Sequence, residues 1–144
     1  MRALIGMAWM VWGVALAAPN EKDAVALTEK GAQYVRAHGK AEMAARINSK
    51  DPDFNQGALY LAMRDLNGIT LAHPTTALIG KNLLDVPDAD GKLFRQEMLA
   101  LARGPGRGWV DYKFRNPETG KVEAKRTYVL RVDDVALEAG IYKH

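Results

Sequence analysis

The side chains best suited to chemistry lie in one predicted β-hairpin. Trp109 and Tyr112 belong to its first strand, and Lys125 and Tyr128 belong to its second. A lysine ammonium neutralises a carboxylate, tyrosine hydroxyls hydrogen-bond to it, and an indole ring forms an apolar wall that excludes water. This combination predicts binding of a small organic anion rather than catalysis. The alternative is that the aromatic rings are ordinary core and cross-strand pairs and that Lys125 is a solvated surface lysine.

The hairpin is predicted from local sequence alone. Residues 108–114 are rich in aromatic and β-branched residues, residues 116–120 form a turn signal with Pro and Gly, and the returning strand covers about Val122–Val132. Because side chains alternate along a strand, the first strand has two different faces. One face carries Val110, Tyr112 and Phe114, and the other carries Trp109, Asp111 and Lys113.

Groups for catalysis are sparse. His73 is the one residue of the predicted sheet with plausible acid–base chemistry, and Ser49, the only serine, falls in a loop after the first helix. The chain has no cysteine, which excludes disulfides, thiol catalysis and thiolate metal sites. The sequence therefore predicts a protein that is not an enzyme and that has no cofactor.

One acidic segment partly matches a calcium-binding loop. Asp88 and Asp90, followed by Gly91, have the right spacing, but Val86 stands where the first ligand carboxylate is required. We therefore expect no metal site there, and we expect Asp88 or Asp90 to cap the helix that follows.

The N-terminal segment has the pattern of a secretory signal peptide. Arg2 supplies a positive charge, an apolar run covers 3–16, and Ala-Leu-Ala at 15–17 is a cleavage site. The predicted division is a signal peptide at 1–17 and a single domain at 18–144, exported to a bacterial periplasm. An uncleaved N-terminal anchor is the alternative interpretation.

The charge of the chain argues against polyanionic partners. Twenty Lys and Arg residues face 17 Asp and Glu residues, so the formal net charge is only +3, and removal of Arg2 lowers it to +2. A surplus this small indicates neither nucleic-acid binding nor attachment to a membrane surface.

The remaining elements complete an α+β domain. A helical pattern capped by Asn20 extends for about 25 residues to Ile47, with Gly39 as a possible bend. Two strands follow, at 58–65 and 69–73, joined by Asn67-Gly68 as a type I′ turn. After a helical insertion that includes a helix at 92–103, the hairpin and a last strand at Val135–Tyr142 bring the antiparallel sheet to five strands.

Short motifs between residues 58 and 143 point to a family. They are Asp65-Leu66-Asn67-Gly68 with Leu71-Ala72-His73-Pro74, Gly80-Lys81-Asn82-Leu83, Asp88-Ala89-Asp90-Gly91-Lys92, Gly108-Trp109-Val110-Asp111-Tyr112, Asn116-Pro117, Lys125 with Thr127-Tyr128-Val129, and Ala139-Gly140-Ile141-Tyr142. The chain resembles the single Cache domain family in these motifs, in their order along the chain and in the long helix that precedes them. These domains are extracytoplasmic relatives of PAS domains, and the resemblance is to the branch found in secreted stand-alone proteins and bacterial chemoreceptors.

The resemblance implies a PAS-like sheet with a pocket between the sheet and the insertion at 75–108, where family members bind small carboxylates and similar metabolites. Carried onto this chain, the ligand-binding residues are Tyr60, His73, Trp109, Tyr112, Lys125 and Tyr128. Ala62 departs from relatives that often have a bulky aromatic there, which would widen the pocket or change its ligand.

The resemblance also bears on partners. Receptors of this type continue into a membrane helix and a signalling domain, whereas this sequence stops at His144. We therefore expect a bound ligand to be reported to a periplasmic or membrane signalling protein. The alternative is an interaction protein with a vestigial pocket that docks a partner, or a second copy of itself, through the long N-terminal helix.

Overall fold

The computed structural model describes Gly6 and residues 17–143. The predicted signal peptide lies outside the described residues, apart from Gly6 and Ala17, and its cleavage stays a prediction. No helix within 17–143 is long and apolar enough to cross a membrane. The elements are α1 (Glu21–His38), α2 (Lys40–Asn48), β1 (Asn55–Gln56), β2 (Leu59–Asp65), β3 (Thr70–Ala72), a 3-10 turn (Thr76–Leu78), α3 (Phe94–Arg103), β4 (Arg107–Arg115), β5 (Val122–Val132) and β6 (Val135–Tyr142).

The N-terminal helical segment is two helices rather than the one predicted. Asn20 caps α1 as expected: its side chain accepts from the Asp23 N–H, and the Asp23 carboxylate accepts from the Asn20 N–H. Gly39 ends this helix with φ 88° and ψ 162°, a conformation outside the helical region that glycine adopts without steric cost. The backbone turns there, and α2 begins at Lys40.

The sheet is antiparallel throughout, as predicted. Its strand order is β1-β2-β6-β5-β4, with β3 pairing β2, so the last strand of the chain lies at the centre. The two-residue strand β1 is the addition to the five predicted strands. The bounds of β5 and β6 are those that the sequence predicted.

The turn between β2 and β3 differs from the predicted type I′. That turn needs positive φ at both central residues, but of Asn67 and Gly68 only Gly68, at φ 95°, has it. The Asp65 carboxylate accepts from the backbone N–H groups of Asn67 and Ile69, each at 2.9 Å, and this side chain fixes the turn instead.

Alternation of side chains gives the sheet two faces with different covers. Helix α1 packs across β5 and β6 on one face, and α3 packs against β4 and β5 on the other. The α1 face is an apolar core that includes Leu61, Met63, Val132 and Leu137. The α3 face holds a smaller apolar cluster that includes Phe94, Met98, Val110 and Val129.

The insertion between β3 and β4 is tied to both edges of the sheet. At the β3 edge, Thr70 donates its N–H to the Lys81 carbonyl at 3.0 Å and accepts from Gly80 at 2.8 Å. At the β4 edge, the Asp88 carboxylate accepts from the Lys113 N–H at 2.9 Å. Asp88 therefore fixes the loop rather than capping the next helix, because the residue that precedes α3 is Leu93, which makes no side-chain cap.

Candidate ligand-binding site

A cavity lies between the α3 face of the sheet and the insertion. Its volume is about 30 Å³, and roughly 10–15 Å³ on this measure holds one water molecule. Strands β2, β4, β5 and β6 form its floor, and the 3-10 turn and α3 form its roof. The lining residues are Tyr60, Ala62, Arg64, Thr70, His73, Leu78, Phe94, Arg95, Met98, Tyr112, Phe114, Lys125, Thr127, Glu138 and Gly140.

A buried ion pair crosses the floor of the cavity. The Arg64 guanidinium donates from Nε to Glu138 Oε2 at 2.9 Å and from Nη2 to Glu138 Oε1 at 3.1 Å. A third donor, Nη1, reaches Thr70 Oγ1 at 3.3 Å. Both oxygens of Glu138, the one carboxylate among the described lining residues, are therefore engaged by an internal partner.

Lys125 is buried in the same cavity without an ion-pair partner among the described residues. Its side chain is 3% exposed, and its ammonium donates to the Tyr60 hydroxyl at 2.9 Å. The nitrogen also lies 4.2 Å from the ring centroid of Tyr60, 5.1 Å from that of Phe114 and 5.0 Å from that of Tyr142. Burial lowers the pKa of Lys125 to about 7, and the nearby Glu138 carboxylate opposes this effect.

His73 is held as a neutral imidazole. Its Nδ1 accepts from the Thr75 N–H at 2.9 Å, so the ring hydrogen of the neutral form sits on Nε2. Burial, followed by the positive charges of Lys125, Arg64 and Arg95, lowers the pKa of His73 to about 3. The side chain can therefore donate a hydrogen bond at neutral pH, but it carries no charge.

The remaining polar groups add donors to the cavity. Arg95, on α3, lies over the Phe94 ring and makes one long hydrogen bond, 3.5 Å, to the Val86 carbonyl. The Tyr112 hydroxyl shares a hydrogen bond of 2.8 Å with Thr127 Oγ1. Burial raises the pKa of both Tyr60 and Tyr112, so their hydroxyls stay protonated. Among the described residues, the lining of the cavity thus contributes three cationic side chains and one carboxylate.

A larger hollow of about 690 Å³ lies against Ala17 and the first turn of α1. Its charged lining residues already have partners. Lys30 donates to the Asp53 carbonyl at 2.8 Å, and Glu118 accepts from the Ala58 N–H at 3.0 Å. Unpaired buried charge, which indicates a binding site more directly than volume does, is found in the smaller cavity.

Comparison with known proteins agrees with this architecture. A family model described as single Cache domain 2 matches residues 23–142, which is most of the chain. The chain belongs to this family. The match confirms the resemblance noted in the sequence. Cache domains are extracytoplasmic sensor modules rather than catalytic ones.

Individual relatives of this Cache domain are more distant. The sensor histidine kinase MctS of Rhizobium johnstonii is 33% identical over 75 residues, which cover 51% of this chain and 16% of the kinase. The chain therefore spans only a small part of that relative. The match shows neither the ligand nor the signalling partner of this protein.

Solved structures share the fold at low identity. A methyl-accepting chemotaxis protein from Vibrio parahaemolyticus has a TM-score of 0.71 at 20% identity, covering 84% of this chain and 86% of the other. A Cache chemosensory domain solved to explain carboxylic acid recognition has a TM-score of 0.65 at 22% identity, with coverage of 85% and 88%. Both support the PAS-like architecture.

The structure brings together four of the six residues that were predicted to bind ligand. Tyr60, His73, Tyr112 and Lys125 line the cavity. Trp109 and Tyr128 are cross-strand partners on the opposite face, with ring centroids 5.0 Å apart, and Trp109 packs against the core under α1. They do not reach the cavity, because Trp109 is three positions from Tyr112 and Tyr128 is three positions from Lys125, and an odd offset along a strand puts two side chains on opposite faces.

Three charged lining residues were not predicted as site residues. Arg64 shares a strand face with Tyr60 in the sequence pattern, so alternation could have identified it. Identifying Glu138 as a lining residue requires the register of β6 against β2, in which Glu138 lies opposite Ala62. Arg95 comes from α3, and no local pattern indicates that it faces the sheet.

Proposed function

We propose that this Cache domain binds a small carboxylate in the cavity and communicates the bound state to a signalling partner. One observation carries the proposal. Lys125 and Arg95 face one cavity, while both oxygens of its single described carboxylate, Glu138, are bonded to Arg64. A buried cation without a counter-ion is unfavourable, and an anionic ligand removes that cost.

The donors suit a carboxylate group. The Lys125 ammonium supplies a positive charge, His73 supplies an N–H donor, and Arg95 presents a planar set of donors that matches two carboxylate oxygens. Tyr60 holds the ammonium in place through its hydroxyl. Lys125 lies on β5, His73 directly follows β3, and Arg95 lies on α3 of the insertion. A ligand between them would therefore connect the sheet to the roof of the cavity.

The size of the cavity favours the shortest acids. About 30 Å³ accommodates roughly two water molecules, so acids of two or three carbon atoms need the least rearrangement. Longer acids require Arg95 and Leu78, which both belong to the insertion, to move outward. We therefore expect affinity to fall with chain length.

The docking alternative lacks the feature that would favour it. An interaction protein using the N-terminal helix needs an exposed apolar stripe, but the apolar residues Ala24, Leu27, Ala32 and Val35 of α1 are buried. The exposed large apolar side chains in the described part of the chain are Val86, Leu93 and Val122, none of which lies on this helix.

A ligand panel tests the proposal. Acetate, propionate, pyruvate, malonate and succinate are titrated at pH 6, with melting temperature and calorimetry as the two measurements. We expect saturable binding by at least one acid, and a loss of at least tenfold in affinity in Lys125→Met. Lys121→Met, an exposed lysine in the same hairpin, is the matched control and should bind as the wild type does. Failure of every acid, or equal binding by Lys125→Met, would contradict the proposal.

A further inference from the structure

The described groups around Lys125 do not hold its amine in one protonation state. From β2 the Tyr60 hydroxyl contacts it and Arg64 adds a positive charge, from β4 come Tyr112 and the ring of Phe114, and from α3 comes Arg95. His73, which directly follows β3 in the chain, is neutral, and β6 contributes Tyr142 and Glu138. The only negative charge in this set belongs to Glu138, which is already bonded through both oxygens to Arg64.

The arginines, His73 and the tyrosines around Lys125 keep their protonation states near neutral pH. Arginine side chains remain protonated at all relevant pH values. The pKa of His73 is lowered to about 3, mainly by burial, and burial raises that of each of the tyrosines Tyr60 and Tyr142. Lys125 is therefore the lining group whose charge can change between pH 6 and 9, and its pKa of about 7 in the empty cavity agrees with its surroundings.

A carboxylate in contact with this amine changes the balance. Next to a negative charge the protonated form of a lysine is stabilised, whereas in the empty cavity burial favours the neutral form and only the ion-paired Glu138 opposes it. Binding therefore draws a proton from solvent onto the lone pair of Lys125 Nζ. No covalent bond other than this N–H bond is formed or broken.

We propose that a carboxylate enters this cavity together with a proton taken up by Lys125, so that occupancy reports pH as well as ligand concentration. The inference rests on the proposed function, since it concerns the same cavity and the same class of ligand. It makes Lys125 the residue through which acidity controls the sensor.

The direction of the effect follows from linkage. Where the free protein already carries the proton, below about pH 7, affinity should not depend on Lys125 titration. As pH rises through that value the free amine becomes neutral, and affinity falls by up to about tenfold per pH unit while the bound amine stays protonated.

Calorimetry measures the proton directly. The tightest-binding acid of the panel is titrated at pH 6.0, 7.0, 8.0 and 9.0 in pairs of buffers with different ionisation enthalpies. We expect close to zero protons taken up at pH 6 and close to one at pH 8 and above, with the dissociation constant rising about tenfold between pH 8 and 9. A constant dissociation constant and no proton uptake across the range would overturn the inference while leaving carboxylate binding intact.

Variants identify the group that takes up the proton. Lys125→Met should bind weakly at every pH and take up no proton, whereas Lys121→Met should show the wild-type pH dependence. Proton uptake that persists in Lys125→Met assigns the proton to another group and contradicts the inference. Absence of binding by wild type at pH 6 overturns both this inference and the proposed function.

A second measurement does not depend on the variant folding. In the wild-type protein, the ε-carbon and ε-nitrogen NMR signals of Lys125 should titrate near pH 7 without ligand and about three pH units higher or more with saturating acid. An amine that titrates near pH 10 without ligand would contradict the inference.

Discussion

The two faces of the central strands have opposite characters although they are built from alternate residues of the same chain. On the α1 face, Leu61 and Leu137 are completely buried among apolar side chains. On the cavity face, Arg64, Lys125 and Glu138 are buried with charge or the capacity for charge. Alternation lets one sheet carry a stabilising core and a destabilising site without mixing them.

The difference shows where this domain gains and loses stability. Burial of apolar area on the α1 face is favourable at about 25 cal/mol per Å². A buried ion pair such as Arg64–Glu138 contributes little net stability, but removing one partner alone is costly because the other charge is then buried and unpaired. The cavity face is therefore the part of the fold that a ligand can stabilise.

The adjacent residues Leu137 and Glu138 test this comparison with the largest expected effects. Leu137→Ala should lower the free energy of unfolding by about 2–5 kcal/mol, through lost transfer energy and a cavity. Glu138→Gln should lower it by about 3–5 kcal/mol, because Arg64 is left without its counter-ion. Urea denaturation at pH 7 measures both.

Anions should separate these two variants. In Glu138→Gln the free guanidinium of Arg64 can bind acetate, so added acetate should restore more stability to this variant than to wild type. Leu137→Ala should gain no more than wild type does. Equal recovery in the two variants would show that the two faces do not differ in the way described.

The buried His73 of the cavity should make the fold less stable at acid pH. Its pKa of about 3 in the fold and of about 6.5 when unfolded mean that the unfolded chain binds an extra proton between these values. Stability is thus lost as pH falls below 6.5, by about 1.4 kcal/mol per pH unit once well below it. His73→Gln should remove about 2–3 kcal/mol of the loss between pH 7 and 4.5, measured by urea denaturation. A loss of the same size in His73→Gln as in wild type would contradict this expectation.

Gly140 tests how tightly the cavity face is packed. A Cβ at this position would overlap Thr127 Oγ1 and lie 2.8 Å from Lys125 Cε. Gly140→Ala should therefore destabilise the fold by about 1–3 kcal/mol and weaken carboxylate binding by displacing the lysine. Gly104→Ala, at the end of α3 and outside the cavity, should leave binding unchanged. Wild-type affinity in Gly140→Ala would indicate that Lys125 does not contact the ligand.

Most of the sheet could be predicted because its signals are local. The turn at 116–120 and the β-branched and aromatic runs beside it determine β4 and β5, and their bounds follow. The break at Gly39 could not be predicted with the same certainty, since a glycine in a helical pattern is compatible with a bend, a break or an uninterrupted helix. Here the ψ of 162° ends the helix.

The site was predicted less completely, for two different reasons. The resemblance assigned Trp109 and Tyr112 to one pocket, although alternation along the strand already put these two side chains on opposite faces. Arg95 and the pairing of Arg64 with Glu138 depend on how the insertion folds over the sheet and on strand register, and local sequence contains neither. The family resemblance supplied the location of the pocket and the sequence supplied Lys125, whereas the other three charged residues inside it came from the structure.

The smallest expected effect concerns Trp109. Its ring lies on the α1 face against Tyr128, with the Arg126 guanidinium 4.8 Å from the ring centroid, so a carboxylate in the cavity is separated from it by the sheet. In protein carrying Trp9→Phe and Trp12→Phe, which leaves Trp109 as the only tryptophan, a saturating acid should change tryptophan emission by no more than about 5%, while the melting temperature rises. A large saturable change in emission with the same midpoint as the thermal shift would place the ligand on the α1 face instead. Since Trp109 was first expected to form a wall of the pocket, this titration decides between the two faces of the sheet.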